Sequence, residues 1–288
     1  MKKILSLMLA LMMLVLTLAA CSSDTEGTGG NLSGVSGEEN VNTYKPTENN
    51  PFNDVFEYDY VNGKEIVITG FSGSTVNHAV VIPSTINVTI DKSTVSMPVT
   101  AIGEKAFYNQ TGISELTIPE GVKTVGDFAF AKCVEMLKIN VASTVESIGT
   151  AAFAECINLQ TVTLPTPAGE DPATPVLGAN AFYKCTSLTT VTLPSTLEEI
   201  KENTFWDCTS LTTVNMGAVK KIGEFAFSGC AKLNLTAVPT TVTAIGNYAF
   251  TNCNPAVVDQ LKASIPARAT LGGPLEEIFG TTPVVEEN

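Results

Sequence analysis

The sequence predicts a β-rich solenoid in which short parallel strands from successive coils stack on one another. Three observations support this prediction: a nine-residue pattern occurs seven times, its copies lie about 23 residues apart, and apolar and polar residues alternate between the copies. A fixed period in the twenties is typical of solenoids, because each repeat forms one coil that buries its apolar face against its neighbours.

The nine-residue pattern reads Ile-Gly-Glu-Phe-Ala-Phe-Ser-Gly-Cys at 222–230. Its seven copies begin at residues 102, 125, 148, 177, 200, 222 and 245, and we number the coils 1 to 7 after them. Five of the six spacings are 22 or 23 residues, and the sixth is 29 because coil 4 follows an insertion at 166–175. Between copies, Val191 and Leu193 alternate with threonines, which is the periodicity of a strand with one buried face.

One phenylalanine recurs at the same position of every copy and predicts a column of stacked rings in the core. The seven residues are Phe107, Phe130, Phe153, Phe182, Phe205, Phe227 and Phe250. The residue before each ring is alanine, except Thr204 in coil 5, and a small residue there lets neighbouring coils approach. The second residue of the pattern is glycine, which we interpret as a sharp turn of the backbone; Lys201 replaces it in coil 5.

Six copies of the pattern end in cysteine, whereas the first ends in Gln110. The six residues are Cys133, Cys156, Cys185, Cys208, Cys230 and Cys253. Disulfides between coils are one alternative in an exported chain. Zinc is a weaker alternative, since a linear ladder with rungs about 4.8 Å apart supplies no tetrahedron. We expect free buried thiols, because a residue that occurs once per coil serves most simply as a small apolar side chain.

The whole repeat reads Leu-x-x-Val-x-Leu-Pro-x-x-Val-x-x-Ile-Gly-x-x-Ala-Phe-x-x-Cys, and this unit resembles the BspA-like class of bacterial leucine-rich repeats over roughly residues 57–253. The resemblance implies a right-handed leucine-rich repeat solenoid, with short parallel strands and one short helical turn in each coil of about 23 residues. It also implies an exported or surface-attached bacterial protein. Some members resemble adhesins, but the repeat itself does not fix a ligand.

The N-terminus predicts export. Lys2 and Lys3 precede an apolar run at 4–18 that is short for a membrane-spanning helix. The following Leu-Ala-Ala-Cys string resembles a bacterial lipobox, which implies that Cys21 is lipidated and becomes the new N-terminus. We therefore expect a chain that is lipid-anchored to the bacterial cell membrane, exposed at the cell surface, and in contact with the membrane through that lipid only. An ordinary signal peptide and an uncleaved anchor are the alternatives.

The sequence predicts five regions along the chain. They are a lipoprotein signal peptide at 1–20, the lipidated cysteine with a disordered linker at 21–56, an N-terminal capping repeat at 57–101, leucine-rich repeats at 102–253, and a C-terminal cap and tail at 254–288. In the first cap, Asn62-Gly63 between two strand-like runs indicates a β-hairpin. In the second cap, the apolar spacing over 255–265 predicts a short amphipathic helix.

The composition argues against several classes of function. The formal net charge is -13, which repels nucleic acids and anionic lipid surfaces. The single histidine, His78, lies beside a strand of the N-terminal cap, and the sequence carries no zinc, phosphate-loop or calcium-loop motif. We therefore expect no catalytic residue, no metal and no cofactor, and a monomeric protein that is not an enzyme; catalysis by carboxylates alone stays open.

Three classes of function remain open for a surface-anchored solenoid. It could bind a host, matrix or envelope macromolecule as an adhesion module, serve as an envelope scaffold without a specific soluble ligand, or act as a carbohydrate-binding or hydrolytic module. The outward strand positions bear on this choice. One row reads Thr117, Asn140, Thr163, Thr192, Asn215 and Ala237, and the next reads Glu115, Lys138, Thr161, Thr190, Thr213 and Leu235. Neither row holds an aromatic ring for stacking on sugar, and the interruptions of the threonines disfavour an ice-binding surface.

Two features that break the repeat are candidates for contact with a partner. The insertion carries Glu170 and Asp171 and is predicted to project as an acidic loop. Tyr183 and Trp206 follow the core ring in successive coils, and tyrosine and tryptophan are enriched at interface hot spots. The alternative is that these two rings only cover the edge of the phenylalanine column. A third candidate is the strand face formed by Thr161, Thr163, Thr190, Thr192 and Thr213.

Overall fold

Two sheets of short, mostly parallel strands run along the stacked coils, which confirms the predicted leucine-rich repeat solenoid. The structure, a computed structural model, describes residues 55–72, 78–166 and 175–280. The predicted signal peptide, Cys21, most of the linker, and Glu170 and Asp171 lie outside these ranges.

The elements are numbered in chain order. The N-terminal strands are β1 (Phe56–Val61), β2 (Glu65–Phe71), β3 (His78–Val81), β4 (Thr85–Ile90) and β5 (Ser93–Ile102). The strands of the coils are β6 (Ile113–Ile118), β7 (Thr124–Val125), β8 (Lys138–Val141), β9 (Ser147–Ile148), β10 (Thr161–Thr163), β11 (Val176–Leu177), β12 (Thr190–Thr192), β13 (Glu199–Ile200), β14 (Thr213–Asn215), β15 (Lys221–Ile222) and β16 (Ala244–Ile245). The C-terminal elements are α1 (Pro255–Ser264), β17 (Thr270–Leu271) and α2 (Leu275–Phe279).

The first sheet contains β3, β6, β8, β10, β12 and β14, each parallel to the next. Its inward row is apolar and buried, as at Val162 and Val191, so the period-2 pattern of the sequence places the core correctly. The predicted strand with Leu235 and Ala237 is absent, since both residues lie in no strand. Ala237 is exposed as predicted, whereas Leu235 packs partly buried against the core. The chain is held to α1 at this point: the Val238 N–H donates to Ser264 Oγ at 2.8 Å.

The repeated glycines lie beside the second sheet, and their role differs from the predicted sharp turn. None of the glycines that follow the first apolar residue has a left-handed backbone; instead, those after coil 1 approach the coil before them too closely for a side chain, and Gly103 makes a tight approach to β2. A Cβ added at Gly126 would lie 2.6 Å from the Glu104 nitrogen, and one at Gly178 would lie 2.5 Å from the Thr150 nitrogen. Glycine is therefore required because the backbones of neighbouring coils touch.

The second sheet is interrupted once, where Lys201 replaces the glycine. One part of this sheet consists of β1, β2, β5, β7, β9 and β11, with β4 paired to β5. A separate part consists of β13, β15, β16 and β17. In the other coils the residue at this position donates its N–H to the preceding coil, as Gly178 does to the Ile148 carbonyl at 2.8 Å; among the described residues, Lys201 donates no such bond to Leu177. Lys201 thus places a Cβ where the other coils have none, and β11 and β13 form no ladder of hydrogen bonds.

The phenylalanine column is confirmed as the centre of the core. Rings of neighbouring coils stack with centroids 5.0 to 5.6 Å apart, and all seven are fully buried. The longest step, 5.6 Å, joins Phe182 to Phe205 and coincides with the interruption of the second sheet. Phe71 extends the stack at one end and Phe279 at the other, each at 5.3 Å.

Each coil turns through two residues with a left-handed backbone. One stands two positions before the core phenylalanine, and the other stands immediately before the cysteine. The first set is Lys105, Phe128, Ala151, Asn180, Asn203, Phe225 and Tyr248, and the second is Asn109, Lys132, Glu155, Lys184, Asp207, Gly229 and Asn252. The predicted helical turn is consequently a pair of i→i+3 turns, as in the bond from the Tyr108 N–H to the Lys105 carbonyl at 2.9 Å, because a left-handed residue cannot continue a helix.

The cysteine column consists of six free, buried thiols, in agreement with the prediction. The structure adds a function beyond filling space. Each Sγ–H donates to the carbonyl of the phenylalanine one coil earlier, at 3.1 to 3.2 Å, as Cys185 does to Phe153. In coil 1 the Gln110 amide donates to the Phe71 carbonyl at 2.9 Å, so an amide replaces the thiol at the first rung. The carbonyls that accept the thiols also accept a backbone N–H of their own turn, as Phe153 does from Cys156 at 3.3 Å, so each thiol adds a second hydrogen bond that links two coils.

Burial of these thiols predicts sensitivity to alkali. Burial raises the pKa of all six thiols, and for Cys133 and Cys253 it reaches about 12 from an ordinary value of 9.0. A raised folded-state pKa means that unfolding releases protons above pH 9, so this stabilisation is complete below pH 9 and is lost as the pH rises towards 12. We expect the free energy of unfolding, measured by urea titration at pH 8 to 11, to fall progressively above pH 9.

The matched control is the double variant Cys156→Ala/Cys185→Ala, which removes two of these protons. Its free energy of unfolding should fall less steeply with pH than that of the wild type. An identical slope in the two proteins would show that other groups cause the loss. Fewer than six reactive thiols in the denatured, unreduced protein would contradict the free column itself.

Both ends of the solenoid are closed. β1 and β2 form the predicted hairpin, with Asn62 and Gly63 both left-handed at its turn, and β4 and β5 form a second antiparallel hairpin. The predicted C-terminal helix is α1, which buries Val257 and Leu261. The tail beyond it adds a further rung that the sequence did not predict: β17 pairs with β16, and the Phe250 N–H donates to the Ile278 carbonyl at 2.9 Å.

Candidate functional site

The outward threonines form one continuous strand face, as predicted. Thr161 lies opposite Thr190, which lies opposite Thr213, and Thr163 lies opposite Thr192. All five face outwards, although Thr190 and Thr192 are only half-exposed. The face is polar, and threonine is favoured at exposed strand positions whatever their function.

The turn side of the coils carries a second candidate surface, which we call the ring edge: Tyr183, Trp206, Phe225 and Tyr248. The four rings belong to coils 4 to 7. Tyr183 meets Trp206 edge to face at 5.9 Å, Trp206 stacks on Phe225 at 4.9 Å, and Phe225 stacks on Tyr248 at 4.8 Å. Phe225 is buried, whereas the other three rings are half-buried. The predicted pair is thus part of a longer aromatic row.

The sequence reasoning missed Phe225 and Tyr248 because it compared residues only within one column. Tyr183 and Trp206 follow the core phenylalanine, whereas Phe225 and Tyr248 stand two positions before it. The left-handed backbone of Phe225 and Tyr248 brings the two columns together. The signal that could have found Phe225 and Tyr248 is that they are aromatic at a position where coils 4 and 5 carry Asn180 and Asn203. Asparagine accepts the left-handed backbone with less strain than an aromatic residue does.

The aromatic residues of the earlier coils, together with Tyr183, have lysines over their rings. Lys105 lies over Phe128 at 5.9 Å, and Lys132 lies over Tyr108 at 5.9 Å. Lys184 lies over Tyr183 at 5.2 Å. These pairs are cation–π interactions that the chain supplies to itself. Within the described ranges, no lysine or arginine lies over Trp206, Phe225 or Tyr248.

Carboxylates surround the later part of the ring edge. Burial and then the negative charge of Glu202 raise the pKa of Glu224. Burial raises the pKa of Tyr248, and the negative charges of Glu277 and Glu224 add to the shift. Burial also raises the pKa of Asp207, although the charge of Lys184 and a hydrogen bond with the Trp206 side chain oppose the shift. The three ion pairs of the described residues include none of these four carboxylates.

The insertion candidate is described only at its ends, Thr166 and Pro175. Thr166 Oγ1 accepts a hydrogen bond from the Ser195 N–H at 2.8 Å, which ties that end to the next coil. A cavity of about 20 Å³ lies beneath, between apolar residues such as Val145, Leu164 and Leu197. It has room for a single water molecule and is too small for an organic substrate.

The remaining candidates for chemistry are few. His78 is the first residue of β3. In the part of the chain that the structure describes, no three His, Cys, Asp or Glu residues are grouped to hold a metal ion. None of its helices has the length and hydropathy needed to cross a bilayer.

Comparison with known proteins agrees with this architecture. The family profile described as "BspA type Leucine rich repeat region" matches six copies over residues 71–169 and 173–262. A search of curated proteins found no match.

Solved structures give a similar result. The leucine-rich repeat protein of Eubacterium ventriosum ATCC 27560 is 24% identical, the match covering 67% of this chain and 54% of that chain, with a TM-score of 0.50. The leucine-rich repeat protein of T. pallidum is 25% identical, with 62% and 88% covered and a TM-score of 0.46. The first of these similarities supports the fold and nothing beyond it.

Proposed function

Because the chain belongs to the BspA type leucine-rich repeat family, we propose that it is a non-catalytic, surface-exposed module that binds a protein partner, as in adhesion. The stacked coils place successive side chains at regular intervals along an extended surface, which suits a macromolecular ligand. The alternative is a scaffold of the cell envelope without a specific soluble ligand.

The ring edge is the observation that carries the proposal. The repeat does not require aromatic residues there, since the position before the core Ala-Phe pair holds Ala151 and Asn180 in other coils. Phe225 and Tyr248 adopt left-handed backbones with φ of 54° and 56°, a conformation that costs a bulky residue about 1–2 kcal/mol. Tyr and Trp are enriched among the residues that dominate protein interfaces.

The arrangement of the rings favours a protein ligand over a sugar. A sugar ring binds on the open face of an aromatic side chain, but Phe225 stacks on both Trp206 and Tyr248, so the stacking covers both of its faces and one face of each neighbour. Their exposed parts are edges and the groups around them, which suit the side chains of another protein.

The test is a binding screen of the purified protein against extracellular matrix proteins and glycans. We expect saturable binding to a protein, weakened by about 2 kcal/mol in Tyr183→Ala/Trp206→Ala, as for interface hot spots. The matched control is Thr161→Ala/Thr163→Ala, which changes the strand face and should bind as the wild type does. Binding to none of the proteins would favour the scaffold alternative, and loss of binding only in the threonine variant would place the contact on the first sheet.

Attachment to the membrane through Cys21 is the second part of the proposal, and the N-terminal sequence alone supports it. Changing Cys21→Ala removes the only sulfur that the lipid could modify at that position, so the protein should appear in the medium or periplasm or remain as unprocessed precursor. Fractionation of cells, followed by mass determination of the mature N-terminus, measures this. A cleaved variant that stayed in the membrane would refute lipid anchoring, and Ser22→Ala is the control that should remain attached.

A further inference from the structure

The aromatic rings on the turn side of the coils, the last four of which form the ring edge, are asymmetric in charge. Towards the N-terminus, Phe128, Tyr108 and Tyr183 each have a lysine of the same chain within 6 Å of the ring centroid. Towards the C-terminus, no lysine among the described residues lies over Trp206 or Tyr248. The chain therefore supplies its own cations to the first half of the surface and leaves the second half without them.

In the second half of this surface the charged residues near the rings are carboxylates, and none of the three forms an ion pair with a described residue. Glu202 and Glu224 occupy the same position in adjacent coils, which the bond from the Asn203 N–H to the Glu224 carbonyl at 2.9 Å joins. The charge of Glu202 raises the pKa of the Glu224 carboxyl, and Glu277 and Glu224 raise the pKa of the Tyr248 phenol. Glu202 is exposed, and the other two are half-buried. Crowded like charges repel one another, and a bound cation would relieve the repulsion.

We propose that the C-terminal half of the ring edge, formed by Trp206, Tyr248, Glu202, Glu224 and Glu277, binds a lysine- or arginine-rich segment of the partner protein. The proposal rests on the proposed function and adds to it the place of contact and the chemistry of the partner. The aliphatic stems of lysine and arginine pack along exposed ring edges while their charged heads reach the carboxylates.

Charge complementarity decides between a basic protein segment and the other occupants. The formal net charge of the chain is -13, so long-range attraction steers a cationic segment towards this surface and disfavours a second copy of the chain or an anionic lipid surface. Stacking covers both faces of Phe225 and one face of Tyr248, which disfavours a sugar. A basic peptide meets all of these conditions.

The experiment uses Trp206 as the reporter, because it is the only tryptophan in the sequence. The purified full-length protein is titrated with a twelve-residue peptide of alternating lysine and alanine while tryptophan fluorescence is recorded. We expect a saturable change that weakens with added salt, as ion pairing at a surface requires. A peptide with glutamate in place of lysine should produce no change.

The decisive variant is Glu202→Gln/Glu224→Gln/Glu277→Gln, which keeps Trp206 and removes three charges. We expect it to bind the lysine peptide about tenfold more weakly, as the loss of three exposed ion pairs implies. The matched control, Glu57→Gln/Glu115→Gln/Glu135→Gln, removes three exposed charges elsewhere and should bind as the wild type does. Thermal melting confirms that both variants fold.

Several outcomes would overturn this inference and leave the proposed function intact. Equal weakening in the two triple variants would show attraction to net charge alone, and peptide binding without a fluorescence change would place the contact away from Trp206. A change in sedimentation upon Trp206→Phe would indicate that a second copy occupies the surface. The failure of the proposed function is a different result, namely no saturable protein binding in the screen described above.

Discussion

Replacing Phe153 with alanine should lower the free energy of unfolding by about 3–5 kcal/mol. The ring is fully buried, and it stacks on Phe130 at 5.3 Å and on Phe182 at 5.4 Å. Its removal leaves a cavity in the middle of the column and takes a rung from both neighbours, and each coil is stabilised only by the coils beside it. Urea unfolding followed by circular dichroism measures the change.

The control for this variant is Thr163→Ala, an exposed position in the adjacent strand of the first sheet. It should change stability by no more than about 0.5 kcal/mol. A Phe153→Ala protein as stable as the wild type would mean that the ring column does not hold the coils together.

Replacing Gly178 with alanine should be similarly damaging although it adds only a methyl group. The new Cβ would lie against the backbone of the preceding coil, 2.5 Å from the Thr150 nitrogen, and backbone cannot move aside as a flexible side chain can. Overpacking in a rigid core costs about 1–3 kcal/mol, and contact with backbone places this variant at or above the upper end. The thermal midpoint and the urea midpoint should both fall.

Lys201→Ala is the matched control, because it changes the same position one coil later, where a Cβ is already present. We expect its stability to remain within about 0.5 kcal/mol of the wild type. If Gly178→Ala were as harmless as this control, the glycines would have to be explained by something other than close approach of the coils.

The sequence predicted the parts of the fold that repeat. The regular recurrence of phenylalanine from Phe107 to Phe250 predicted the core column, and the same recurrence correctly predicted a column of free thiols from Cys133 to Cys253. The physical reason for a column was harder to predict. The repeated glycines suggested a turn, whereas the left-handed residues are others, such as Lys105 and Asn109, whose identities vary from coil to coil.

The candidate site and the C-terminal rung were predicted only in part, because they depend on residues from different columns. Tyr183 and Trp206 were identified as a pair, but their continuation through Phe225 depends on a backbone conformation that no residue type required. The last rung was missed because its spacing differs from that of the repeat. In the coils that carry the glycine, two residues separate it from the Ala-Phe pair, whereas residues 273–278 separate Gly272 from Phe279, the last residue of α2.

Lys201 also affects how the coils share their stability. In a linear array, cooperativity depends on the coupling between adjacent units, and a weakened junction lets the two sides respond separately. Between coils 4 and 5 the ring column and the turn bonds continue, as from the Phe182 N–H to the Thr204 carbonyl at 2.9 Å, whereas the second sheet does not. We therefore expect this junction to be a point at which the array divides into two unfolding units, and the ring edge, from Tyr183 to Tyr248, spans it.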